Sequence, residues 1–144
     1  MISLFDEKTL KLAGKWLLIL LVVITVSIVV YSGVKKLKKD NEEKVFQNEI
    51  EKQINTSNLT LPELEYKTMA DMLYTAMKGW GTDEKVIYSV FAKLQNEDDY
   101  KKLRSAFGIR DKENLEQWIV GDMNEKERQQ INAILNVNGI SAKF

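Results

Sequence analysis

The chain has 144 residues, 21 basic and 21 acidic, with no cysteine and no histidine. Disulfides, thiolate metal sites, cysteine nucleophiles and the commonest general base and zinc ligand are thereby excluded. The zero net charge is uneven: residues 1–40 carry seven lysines against three acids, and residues 41–144 carry 14 basic against 18 acidic residues, so the larger part is mildly acidic and poorly suited to nucleic acid.

Residues 1–15 read as a short N-terminal tail. Trp16 to Val34 is 19 residues without a charge, with Trp16 and Tyr31 near its ends. A helix of that length covers about 28 Å, enough for the hydrocarbon layer, and aromatics favour the interfaces. The segment reads as a single-pass transmembrane helix; a cleaved signal peptide is the alternative, with Val30-Tyr31-Ser32 as a loose cleavage site. Lys8, Lys11 and Lys15 precede the span, and Lys35, Lys36, Lys38 and Lys39 follow it. That bias puts the C-terminal part in the cytoplasm by only one lysine, so the orientation stays open.

Residues 35–61 read as a charged helical stalk or linker. Val45, Phe46, Ile50 and Ile54 leave a thin apolar stripe, and the lysine cluster is a candidate contact for anionic headgroups. Asn55 to Thr60 breaks the helix and carries two N-x-Ser/Thr patterns, at Asn55 and Asn58. Pro62 then opens the next helix.

Residues 62–144 have helical period throughout and no sustained alternation, which predicts an all-α fold with a compact five-helix domain. The first helix runs from Pro62 to Lys78 with Leu64, Met69, Ala70, Leu73, Tyr74 and Met77 inward. The second starts after Thr82 as N-cap and buries Ile87, Val90, Phe91 and Leu94. Asn96 caps the third, which buries Tyr100, Leu103 and Phe107 and stops at Gly108. Asp111 caps the fourth, with Leu115, Trp118 and Ile119 inward. Asn124 and Glu127 form a capping box for the fifth, which buries Ile131, Ile134 and Leu135 and ends at Gly139.

Between the first two helices lies Met77-Lys78-Gly79-Trp80-Gly81-Thr82-Asp83-Glu84. The two glycines permit backbone angles that a Cβ forbids, and such a loop can aim several carbonyl oxygens at one hard cation. A tight interhelical turn without an ion is the plainer reading. Trp80 at the tip suits a membrane interface; the alternative is a ring folded against the last helix.

These residues together resemble one repeat of the annexin family, over about residues 62–138. The octapeptide 77–84 matches the family's type II calcium loop at every fixed position. Ala70 to Ala76, Ile87 to Phe91, Phe107 to Asp111 and Leu115 to Ile119 resemble its flanking helices. The resemblance implies that the carbonyls of Met77, Gly79 and Gly81 hold calcium, with the carboxylate of Asp122, 41 positions after Gly81, closing the site. The alternatives to Asp122 are Glu125, Glu127 or an empty site. It implies a secondary site at the Thr82 carbonyl and the Glu84 carboxylate, a phospholipid phosphate bridged by the ion, and membrane contact by Trp80 and Lys78. The family normally carries four repeats and is soluble; here there is one, behind an anchor. Gly121-Asp122-Met123 also departs from the family's usual Ser-Glu-Leu.

No nucleophile elbow or phosphate loop appears, so no catalytic residue is assigned. The expected function is a membrane-anchored, non-catalytic module that binds calcium and phospholipid through residues 77–84. A calcium affinity of about 10⁻⁴–10⁻³ M leans toward an extracytoplasmic domain. The alternative is a calcium-independent protein-interaction or structural module of a larger envelope or particle assembly, with protein partners or a homo-oligomer.

Overall fold

The computed structural model describes residues 7–144. They form α1 (Glu7–Glu51), a single 3-10 turn (Thr56–Asn58), α2 (Glu63–Met77), α3 (Glu84–Phe91), α4 (Glu97–Phe107), α5 (Leu115–Asp122) and α6 (Glu125–Val137), with no strand among the described residues. The all-α expectation holds. Two units separate in the chain, one ending at Glu42 and one spanning Glu43–Phe144.

In the first unit, α1 carries the apolar run with its side chains exposed from Trp16 to Val34. Of the tail expected at 1–15, residues 1–6 lie outside the described residues, and 7–15 are already helical. The helix is long and apolar enough to cross a membrane by length and composition. Three of its hydroxyls are satisfied internally: Thr25 donates to the Val22 carbonyl at 2.8 Å, Ser27 to Val23 at 2.8 Å and Ser32 to Val29 at 2.9 Å.

The second unit begins before α1 ends. Ile50 is buried, Gln47 donates to the Ser105 carbonyl at 3.4 Å, and Glu51 accepts from the Ser105 hydroxyl at 3.2 Å and from Lys102 at 3.3 Å. The apolar stripe read in the linker therefore splits. Ile50 joins the folded unit, and Val45 stays exposed.

α2 packs against α3, α4 and α5, and α3 packs against α6. The core takes Tyr66, Met69, Ala70, Leu73 and Met77 from α2, Ile87, Val90 and Phe91 from α3, Tyr100, Leu103 and Phe107 from α4, Leu115 and Ile119 from α5, and Ile131 and Leu135 from α6. Nearly all expected inward residues are thus in place, with Tyr74, Trp118 and Ile134 half-buried at the margin. Leu64 is the exception at 73% exposure. It sits in the first turn of α2, where Tyr66, two residues on, takes the inward direction.

Two predicted caps are corrected. α3 is capped by Asp83, whose carboxylate accepts from the Val86 N–H at 3.2 Å; the Thr82 hydroxyl points elsewhere. α5 is capped by Asn114 in a reciprocal box with Gln117, both bonds at 2.9 Å. Asp111 and Lys112 lie instead in the left-handed region, at φ +49° and +76°, in a turn closed by Arg110 and Glu113. The Asn96 cap and the Asn124–Glu127 box are as expected, and Gly108 ends α4 at φ +62°.

One buried acid organises the entry to the bundle. Asp99 is 0% exposed and accepts from the Thr60 N–H at 2.9 Å, the Thr60 hydroxyl at 2.6 Å, the Tyr66 hydroxyl at 2.5 Å and the Gln95 N–H at 3.0 Å. Burial pushes its carboxyl upward, but the bonds from Thr60, Tyr66 and Gln95 outweigh that and hold it below the ordinary carboxylate value. The same burial, aided by Asp99, pushes the Tyr66 hydroxyl up to about 12.

Candidate functional site

The loop between α2 and α3 is set by its two ends. Lys78 closes α2 with its N–H on the Tyr74 carbonyl at 2.8 Å, and the Asp83 N–H bonds back to the Ala76 carbonyl at 2.9 Å. Between them Gly79 stands at φ +136° and Gly81 at φ +89°, which side-chain-bearing residues rarely adopt. A Cβ built on either meets nothing within 4 Å, so these glycines answer a demand of the backbone rather than of packing. Trp80 between them is fully exposed, at 108%. Its ring does not fold back on α6.

The expected site residues are partly gathered. Met77 is buried at the loop root, and its side chain belongs to the core. The Thr82 hydroxyl lies 3.4 Å from the Asp122 carbonyl, which brings the C-terminus of α5 to the loop across 40 positions of sequence. Desolvation and the nearby Glu113 carboxylate raise the Asp122 carboxyl above its ordinary value, and a hydrogen bond from Thr82 works the other way. Among the described residues no lysine or arginine pairs with Asp122. Glu84 opens α3, where its charge suits the helix dipole; together with Glu127, and after burial, it raises the Tyr88 hydroxyl.

Lys78 is more engaged than a free membrane contact. Its ammonium lies 2.5 Å from the Tyr74 hydroxyl and 3.7 Å from Asp111, and the Tyr74 hydrogen bond chiefly raises it above the usual lysine value. The sequence gives no sign of this Tyr74–Lys78–Asp111 cluster, because Asp111 arrives through the left-handed turn. Beside the loop runs an open groove walled by Asp71, Met72 and Thr75 of α2, Val86 of α3 and the Trp80 ring.

Among the described residues no group of three or more acids forms a metal cluster. The oxygen donors that a cation at this loop would meet are backbone carbonyls and the Asp122 carboxylate, a donor class that suits calcium. The residues present fit that ion: Gly79 and Gly81 hold positive φ that leaves the loop backbone unshielded by side chains, and Asp122 is an acid with no basic partner among the described residues.

The annexin family model matches residues 68–134, from within α2 to within α6, and so encloses the loop, Trp80 and Asp122. No curated protein and no solved structure matches the chain. Residues 68–134, which carry the helices that position this loop, are therefore similar to an annexin repeat.

Proposed function

We propose that this chain is a membrane-anchored, non-catalytic annexin-like module that binds calcium and phospholipid through residues 77–84. The observation that carries the reading is the glycine loop with an exposed Trp80 at its tip and Asp122 drawn to its side by Thr82. The Met77, Gly79 and Gly81 carbonyls and the Asp122 carboxylate would hold the ion, with Thr82 and Glu84 as a weaker neighbouring site. Bound calcium supplies a positive centre with open coordination positions, which a lipid phosphate takes. Trp80 then enters the interface as an amphipathic ring. The exposed apolar run of α1 supports a single membrane span as the anchor. The anchor would hold this loop at the surface and so raise its effective concentration there.

The test is calcium titration calorimetry of residues 43–144, with and without anionic vesicles. The expected result is saturable binding in the range of about 10⁻⁴–10⁻³ M, tightened by lipid and lost in Asp122→Ala. No heat up to millimolar calcium refutes the calcium reading and leaves a protein-docking module in its place.

A further inference from the structure

The first unit carries its own charged feature. From Trp16 to Lys39 there is no acid, and Lys35, Lys36, Lys38 and Lys39 close the stretch. α1 runs through this segment without a break, and all four lysines are exposed. None of the four has a hydrogen-bond or ion-pair partner among the described residues. Asp40, Glu42 and Glu43 stand four residues after Lys36, Lys38 and Lys39, the spacing at which helical ion pairs form, yet no such pair is made.

At about 100° per residue the four lysines share a face of about 160°, and Leu37 lies opposite. Leu37 is itself 70% exposed, so the apolar surface reaches one turn further along one side than along the other. A helix end built this way leans its apolar side into hydrocarbon while the lysine stems extend their ammonium groups outward. The positive stretch is short: residues 40–51 carry five acids and one lysine. The lysines therefore act only where the apolar run meets the headgroups.

We propose that Lys35, Lys36, Lys38 and Lys39 form a calcium-independent site for anionic phospholipid headgroups. The proposal rests on α1 spanning the membrane and is independent of the calcium loop. Each basic residue at a charged surface contributes about fivefold in lipid association, the equivalent of about 1 kcal/mol. The four together gather anionic lipid around the anchor without any ion.

The test uses the full chain in phosphatidylcholine vesicles with trace spin-labelled phosphatidylglycerol or phosphatidylcholine, in EDTA. The motionally restricted fraction of each label reads the relative association. Phosphatidylglycerol is expected to be favoured at least about threefold. The preference disappears at 1 M salt, where the screening length falls to about 3 Å, and disappears in K35Q/K36Q/K38Q/K39Q. Equal association of the two labels in wild type, or a preference that survives the fourfold variant, overturns the proposal. Retention of each protein under alkaline carbonate reports the span separately. Extraction of the wild-type chain refutes the span and this proposal with it, and leaves the calcium loop to its own titration.

Discussion

Asp99→Ala is the sharpest test of how the helical unit holds together. The substitution leaves the Thr60 N–H and hydroxyl, the Gln95 N–H and the Tyr66 hydroxyl without their acceptor, a carboxylate that is itself closed to solvent. Each orphaned donor costs about 1–3 kcal/mol, and relief of the carboxylate's own desolvation offsets part of the sum. The expected loss is about 3–5 kcal/mol, a large share of the 5–15 kcal/mol typical of a domain. Tyr66→Phe removes one donor while three remain on Asp99, and should lose about 1 kcal/mol. Urea unfolding of residues 43–144, followed by circular dichroism, measures both. A loss below about 1 kcal/mol for Asp99→Ala refutes the idea that this acid fastens the bundle. The pH dependence has a fixed sign. Asp99 has a folded pKa below its unfolded value, so its contribution is complete above the unfolded carboxylate pKa of about 3.9 and is lost as pH falls through the folded value. Tyr66 behaves oppositely: its contribution is present below pH 10 and is lost as pH rises toward about 12. Asp99→Ala should flatten the acid limb.

Gly108→Ala places a Cβ at φ +62°, 3.0 Å from Gln47 Nε2 and 3.2 Å from Glu43 Oε1. Those side-chain ends can move, so backbone strain dominates, and a loss of about 1–2 kcal/mol is expected in urea unfolding; an unchanged midpoint contradicts it. Trp80→Ala touches no core contact, so stability should stay within about 0.5 kcal/mol while calcium-dependent cosedimentation with anionic vesicles falls. Unaltered cosedimentation removes the ring from the interface. Asn114→Ala breaks the α5 capping box and should cost about 1 kcal/mol by thermal unfolding. No shift in midpoint would mean that α5 starts elsewhere.

The core was readable because its periodicity is local: Ile87, Val90, Phe91 and Leu94 follow helical spacing and all are buried. Caps were readable where one polar residue stood alone before an apolar run, as at Asn96 and Asn124. They were misread where two competed. Asp111 and Asn114 are both good caps, and the left-handed turn at 111–112, which decides between them, has no glycine to announce it. Thr82 and Asp83 compete in the same way, and Asp83 prevails while Thr82 turns to α5. Asp99 stands in the first turn of α4, where an acid is ordinary. Its donors at Thr60 and Tyr66 lie 39 and 33 positions away, so burial there is a tertiary event. At the site, the glycine loop was legible from its residues. Its approach to Asp122 was implied by resemblance, and the Tyr74–Lys78–Asp111 cluster had no local signal.

The Asp83 N–H bond to the Ala76 carbonyl has a consequence for how this surface can change. It seals residues 77–82 at their root, so the loop is a lariat hung from a knot already tied to two helices. Swapping or lengthening the exposed residues 78–81, with Met77 left in the core, alters what the tip grips and leaves the register of α2 and α3 untouched. The tip is thus an exchangeable cartridge, free to be retuned for another ion or surface without the core having to refold around the choice.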